Sequence, residues 1–454
     1  MKISKKSRAL FLTTVASGTM LNPLNSSMIS LALHSIQKEF QLSFTTVSWL
    51  ISSFYLASAV AQPVTGKLGD LIGRKKMFLS GLILVAISAI GAPLAPAFMV
   101  LLVMRLFQSI GSSAIYPSGV GLIRSHIRDR QASALAVLSI FASAMTALGP
   151  TVGGFLIVWG GWPAIFTVNF PFIIFSFVFG LLMFPKDEKR AGLNVKSVLK
   201  QLDLPGIILF ACGIVLLLSF LLSLSTVPRY AEGVSGLILL IVFIMWEHRT
   251  EKPFIDMRLF ISHRALSSVY IQFIILNIFN YCLFFGLPSY FQDEMHLSVQ
   301  TSGLLMLFMS GMSIIVSPLT GRWIDRSGEA QPVLIGACLM IAGAVLMTLF
   351  FVEAPMIWKG LILSLLGISY GLGNVALQAA MLTASPKDIV GTSSGLFQTC
   401  RYLGSILSSV ILGMLFGKEI TAHHFQELGI IMIVVAIGSL IFSFRFVKLA
   451  KDLD

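Results

Sequence analysis

From Ala9 to Phe446 the sequence is a succession of apolar runs, each about 20 residues long, separated by short stretches that carry nearly all the charge. Wound as a helix with a rise of about 1.5 Å per residue, such a run crosses the roughly 30 Å hydrocarbon core of a bilayer. Of the 454 residues, 56% are hydrophobic and only 11% charged, with a mean hydropathy of +0.89. A water-facing surface needs roughly 25% charged residues, so the apolar excess faces lipid and a soluble fold is excluded. Backbone polar groups in lipid must be satisfied within the segment, which favours helices. The runs predict helices near 9–33, 46–65, 77–96, 98–123, 132–157 and 163–184, then 204–222 and 233–248, then 265–290, 299–320, 332–352, 356–384, 391–416 and 428–446. That is an all-α membrane protein with fourteen transmembrane helices.

Charge in the loops tests the reading. Lys2, Lys5, Lys6 and Arg8, then Lys67 and Arg74 to Lys76, then Arg124, Arg128 and Arg130 fall on one side of the alternation, as do most later basic residues. The other side holds Lys38, Arg229, Lys359 and Lys418. By the positive-inside rule both termini are cytoplasmic, which requires an even number of spans. This placement also accounts for the net charge of +12 without nucleic acid. Cys212, Cys282, Cys338 and Cys400 fall in four different apolar segments and read as small hydrophobes, neither a disulfide framework nor a metal site. The basic start and first apolar run look like a secretory signal, but the run continues through Asn22 and Asn25 to about Leu33 without a small-residue cleavage site, so it is expected to be a retained first helix.

One stretch recurs. Pro63, Thr65, Gly66, Asp70 and Gly73 are repeated 255 residues later as Pro318, Thr320, Gly321, Asp325 and Gly328. Each copy follows the second helix of a six-helix set. Two sets related in this way, with a substrate site near the bilayer midplane, are a recurrent plan of secondary transporters. The helices near 204–222 and 233–248 belong to neither copy. The expected organisation is a six-helix bundle over residues 1–185, a linker with an inserted two-helix hairpin over 186–264, and a second six-helix bundle over 265–454.

The stretch Gly66-Lys-Leu-Gly-Asp70-Leu-Ile-Gly73-Arg74-Lys75 resembles the signature of the major facilitator superfamily between its second and third helices. The likeness extends over nearly the whole chain and is nearest to the fourteen-helix drug:proton antiporter branch, the multidrug and tetracycline-type bacterial exporters. It implies a gating role for Gly66, Asp70, Gly73 and Arg74, echoed by Gly321 and Asp325. Arg105-Leu-Phe-Gln108-Ser109-Ile-Gly111 is similar to the fourth-helix motif, whose Arg is tied to proton coupling; Ser109 stands where the family has Gly. An Arg inside a span is costly unless it meets polar partners or a cavity. Gly149-Pro150-Thr-Val-Gly153-Gly154 resembles the fifth-helix signature of exporters, with Met145 in place of its leading Gly. Further echoes lie at Gly161 to Pro171, Pro288 to Gln292 and Ser394 to Gly404, the last containing a second intramembrane arginine, Arg401.

The resemblance implies proton-coupled export of drugs or small amphiphilic compounds by alternating access, powered by the proton gradient without a cofactor. The alternative on the same fold is a transporter of one defined substrate, such as a lipid, siderophore or metabolite. No metalloprotease, hydrolase or phosphate-loop motif points to an enzyme. The expected setting is the bacterial cytoplasmic (inner) membrane, the expected partners an amphiphilic small molecule and protons. The main departure lies in helix one, where Asn25 replaces the acidic residue usual in the branch. No Asp or Glu falls at mid-depth of a predicted span, which argues against obligate dications because a bare divalent cation in a low-dielectric cavity needs a counter-charge. Besides Arg105, the coupling candidates are Asp293, Glu294 and His34. The polar residues expected to face a substrate cavity are Asn25, Gln62, Gln108, Tyr116, Asn277, Asn280, Tyr281, Asn374, Gln378 and Arg401.

Overall fold

A computed structural model describes residues 5–42, 44–47, 49–127, 129–187, 202–224, 227–251, 253–255, 264–386, 388–416 and 420–451. Every regular element among them is an α-helix. In chain order these are α1 (Lys5–Thr19), α2 (Leu21–Glu39), α3 (Phe44–Val47), α4 (Trp49–Ile72), α5 (Arg74–Gly91), α6 (Phe98–His126), α7 (Gln131–Gly160), α8 (Ala164–Thr167) and α9 (Asn169–Met183). They continue as α10 (Leu204–Ser223), α11 (Tyr230–Arg249), α12 (Arg264–Asp293), α13 (Val299–Ser327), α14 (Ala330–Phe350), α15 (Met356–Ala384), α16 (Val390–Phe416) and α17 (Ala422–Lys451). Each of the fourteen apolar runs coincides with one helix or a consecutive pair. Ten helices among the described residues are long and apolar enough to cross a bilayer.

Two runs expected to be single helices are interrupted, and proline gives the reason. The first breaks at Met20, three residues before Pro23, and the sixth at Val168, three residues before Pro171. Proline has no N–H to return to the preceding turn and its ring crowds the carbonyl there. The signature stretch also departs from expectation: Gly66 to Ile72 is not a loop but the last two turns of α4, and the turn is confined to Gly73 at φ 115°. Its repeat ends α13 in the same way, with Gly328 at φ 77°. Left-handed backbone of this kind is open to glycine at little cost.

Contacts divide the chain into two compact units that do not follow chain order. One contains 1–128, 137–207 and 386–399; the other contains 129–136, 208–385 and 400–454. The first turns of α7 and α16 thus cluster with a different unit from the rest of their helices. In the first unit, Leu24, Met28 and Ile29 of α2 pack with Leu50 of α4, Leu101 of α6 and Trp162 and Phe166 around α8. In the second, Tyr290 stacks on Phe425 with ring centroids 4.1 Å apart, and Phe351 joins them. Apolar contact alone gives helices little drive to associate in lipid, so close packing and interhelical hydrogen bonds matter more. Ser58 and Ser109 meet at 2.8 Å between α4 and α6, and the Ser109 hydroxyl also donates to the Phe54 carbonyl. Ser176 of α9 donates to the Thr14 carbonyl of α1 at 2.8 Å. Side chains such as Val158 and Trp159, 90% and 89% exposed, suit a hydrocarbon solvent.

Candidate functional site

An α-helix begins with four N–H groups that have no intrahelical acceptor and a partial positive charge. The residues preceding α7 and α16 are Arg130 and Ile389, neither of which can serve as an N-cap acceptor. Both helix starts are instead capped by a distant carboxylate from the repeated stretch. Asp70 accepts from the backbone N–H of Gly391 (3.1 Å) and Thr392 (2.9 Å) and from the Thr392 hydroxyl (3.3 Å) at the start of α16. Asp325 accepts from the N–H of Ala132 (3.0 Å) and Ser133 (3.2 Å) and from the Ser133 hydroxyl at the start of α7. The arrangement is reciprocal: the Asp of the first copy caps a helix of the second six-helix set, and the Asp of the second copy caps a helix of the first.

The repeated glycines explain how the helices come close enough. A Cβ on Gly66 would overlap the Gly391 carbonyl, and one on Gly321 would lie 2.9 Å from the Cα of Ser133. Only a residue without a side chain lets these backbones approach.

Around Asp70 a wider network forms. Arg74 reaches back one turn to Asp70 at 3.2 Å and donates to the Gly121 carbonyl of α6 at 2.8 Å. Asp187 accepts from the N–H of Lys75 and of Lys76, both at 3.0 Å, capping α5. The Lys75 ammonium returns to the carbonyls of Leu181 and Phe184 at the end of α9, each at 2.7 Å. Anion at a helix start and cation at a helix end both follow the helix dipole.

A second cluster surrounds Arg105, which is 1% exposed. Its guanidinium donates to the carbonyls of Leu50 (3.3 Å) and Asn25 (3.1 Å) and to the Gln108 side chain, and lies 4.1 Å from the centroid of the Phe54 ring. Asn25 and Asn169 exchange a pair of amide hydrogen bonds, both 2.9 Å. Three of the sequence candidates, Asn25, Arg105 and Gln108, therefore form one node. Asn169, the partner of Asn25, completes it.

The remaining candidates are placed as follows. Gln62 and Tyr116 are buried in the first unit, and Asn277, Asn374 and Gln378 in the second. The Asn277 amide donates back along its own helix to Phe273 at 2.7 Å. Asn280 and Tyr281 are half-buried, Tyr281 lying 5.4 Å from Phe285 between ring centroids. The Arg401 guanidinium sits 5.8 Å from the centre of the Phe273 ring. Glu294 accepts from the N–H of Ala422, capping α17 at 3.1 Å, while Asp293 is exposed at the end of α12. Gly149 faces Ser27 and Gly153 faces Met28, so this motif seats α7 on α2. Gly154 is half-buried; Pro150 lies within α7 and His34 within α2, and the side chains of these two are outside the described residues.

Sequence reasoning missed the capped ends. A signal was present: Arg128-Asp129-Arg130-Gln131-Ala132-Ser133 recurs in type as Lys387-Asp388-Ile389-Val390-Gly391-Thr392, a basic residue and Asp followed three and four places on by a small residue and a hydroxyl.

The comparisons with known proteins follow the same architecture. The chain is 76% identical over 449 residues to an MFS-type transporter of Bacillus subtilis (strain 168), YwoD, covering 99% of each chain. It is 27% identical to the tetracenomycin C resistance and export protein of Streptomyces glaucescens, over 90% of this chain and 76% of that one. Its fold matches the crystal structure of the human organic anion transporter MFSD10 with a TM-score of 0.68 at 16% identity, over 97% of this chain and 100% of the other. With the Major Facilitator Superfamily description matching residues 15–409, this multi-pass membrane transporter belongs to that superfamily.

Proposed function

We propose that the chain is a proton-coupled exporter of drugs or small amphiphilic compounds, working by alternating access in the bacterial cytoplasmic membrane with both termini in the cytoplasm. The observation that carries this reading is the reciprocal capping of α16 by Asp70 and of α7 by Asp325. A carboxylate on a helix start is worth up to about 2 kcal/mol in a partly buried setting. That is enough to favour one arrangement and small enough to be released in each transport cycle. Likeness to an export protein for tetracenomycin C supports the direction and kind of cargo.

In this reading Gly66, Gly73, Arg74 and Gly321 shape and brace the capped turns. Gly149, Gly153 and Gly154 with Pro150 set the pitch of α7. Arg105 is the leading coupling residue, with Asp293, Glu294 and His34 behind it.

The test has two arms. Deletion and overexpression strains are scored against lipophilic cations, fluoroquinolones, tetracyclines and dyes, and efflux is followed while the pH gradient and the membrane potential are collapsed separately. Changed sensitivity to several unrelated compounds, lost with the pH gradient, is the expected result. Changed sensitivity to none would favour one defined substrate, and efflux indifferent to the pH gradient would remove proton coupling.

A further inference from the structure

The turn between α14 and α15 sends its two charges in opposite directions. Lys359, 3% exposed, donates from its ammonium to the carbonyls of Val352 (3.1 Å) and Ala354 (2.5 Å). It lies 5.6 Å from the centroid of the Phe351 ring, which is fully buried against Phe291 and Phe425. Glu353, by contrast, is exposed. Among the described residues its carboxylate meets no hydrogen-bond donor and no cation.

That carboxylate stands at the turn end of a groove of about 550 Å³ between the two helices, the size of a small-molecule site. Leu349 and Phe350 of α14 and Trp358, Leu361 and Leu365 of α15 form much of its wall. Glu353 and the indole N–H of Trp358 are the only polar side-chain groups among its lining residues. Leu365 is the tenth residue of α15, about 14 Å along the helix from Met356. The groove therefore runs from the helix ends toward the hydrocarbon depth of the bilayer. Trp358, 59% exposed, sits in the first turn of α15, where an indole suits the membrane–water boundary.

A lipid acyl chain in this groove would satisfy the hydrocarbon wall and leave the carboxylate at its end without a counter-charge. A molecule with an apolar body and a cationic head satisfies both. Attraction between opposite charges strengthens as the dielectric falls, and the face of an indole adds its own pull on a cation. We propose that the groove binds a lipophilic monocation, a quaternary ammonium or phosphonium on an apolar body, with Glu353 and Trp358 holding the head and Leu349, Leu361 and Leu365 the body. The site is complete at the α14–α15 turn and does not rest on the export reading.

Equilibrium binding to the full-length protein in phosphatidylcholine nanodiscs tests it, with empty nanodiscs as background. The probes are tetraphenylphosphonium and tetraphenylborate, alike in shape and opposite in charge, each assayed alone. The phosphonium is expected to bind saturably above background. Glu353→Gln is expected to weaken that binding roughly tenfold while leaving the borate unchanged or tighter. Glu353→Asp keeps the charge and should cost no more than about threefold. Trp358→Leu, which removes the indole face and keeps an apolar wall, should weaken the phosphonium several-fold. Glu353 is exposed and has no bond to lose, so these changes at position 353 leave the helices as they are. Phosphonium that binds no better than to empty nanodiscs, or as well to Glu353→Gln as to the parent, leaves the groove to lipid chains and overturns the proposal. Phosphonium and borate weakened alike by Glu353→Gln would overturn it too, because the carboxylate would then act on shape and not on charge. None of these readouts involves transport, so the export reading stands or falls separately.

Discussion

The two copies of the repeated turn make the same bond with different support. Both place an Asp on two N–H groups and one hydroxyl at a helix start, both bring that helix close through a glycine, and both turn on a glycine with positive φ. They differ one residue further on. Arg74 joins Asp70 to the Gly121 carbonyl, whereas the same position of the second copy, 255 residues later, is Glu329, the residue before α14. Lys75 and Asp187 extend the first copy's network to α5 and α9, whereas Ala330 stands where the repeat would place a second Lys75. The helix cap is thus the shared element, and the basic residues Arg74 and Lys75 behind it are replaced in the second copy by Glu329 and Ala330. A cap that recurs while the basic residues behind it change is the part of the turn that the repeat preserves.

Substitutions that keep the helices but close the gap should have the largest effect. Gly66→Val places a Cβ into the Gly391 backbone, which cannot turn aside as a side chain would, so transport is expected to fall to background in vesicles while the protein still reaches the membrane. Gly321→Val meets its nearest atoms at 2.9 Å, and a smaller loss is expected. Equal losses would mean the two approaches are equally tight in the working protein, contrary to the comparison.

Asp70→Asn comes next. The amide keeps one acceptor but loses the charge opposite the dipole, worth up to about 2 kcal/mol, and leaves Arg74 without its acid. A drop in transport of roughly tenfold or more is expected at unchanged expression. Asp325→Asn loses the same cap but strands no arginine, so a several-fold drop is expected. Initial efflux rates of the two variants side by side decide the matter, and a larger loss for Asp325→Asn would reverse the assignment of the bracing.

The helices were legible because lipid imposes one rule on all of them: about 20 apolar residues per crossing. Pro23 and Pro171 were visible too, but not that their effect would be to split a run. The acid at position 70 could be read as a cap, since carboxylates belong at helix starts, yet its partner could not. Gly391 lies 321 residues away, and nothing local to Asp70 encodes that distance. Asn25 was visible as a lost acid, but its pairing with Asn169 was not, because amides exchange hydrogen bonds with many partners and carry no long-range charge to reveal one. What remained hidden was tertiary pairing between chemically ordinary ends.

The smallest effect sharpens the comparison most, because it isolates the bracing from the cap. Asp187→Asn leaves Asp70 and its three bonds untouched and weakens only the cap on α5, where it can still accept from one of Lys75 and Lys76. An N-cap change of this kind costs about 1 kcal/mol or less, and the Lys75 ammonium still holds the carbonyls of Leu181 and Phe184. The expected outcome is a thermal midpoint in detergent lowered by a few degrees or less, with the efflux rate within about twofold of the parent, since 0.4 kcal/mol corresponds to roughly that factor. Adding Lys75→Ala to the same chain removes the return half of the staple and should lower the midpoint further while still sparing transport. Should Asp187→Asn alone slow efflux as much as Asp70→Asn does, the bracing would be part of the moving machinery and not its scaffold, and the second copy, with Glu329 and Ala330 in place of Arg74 and Lys75, would have to work by a different bond.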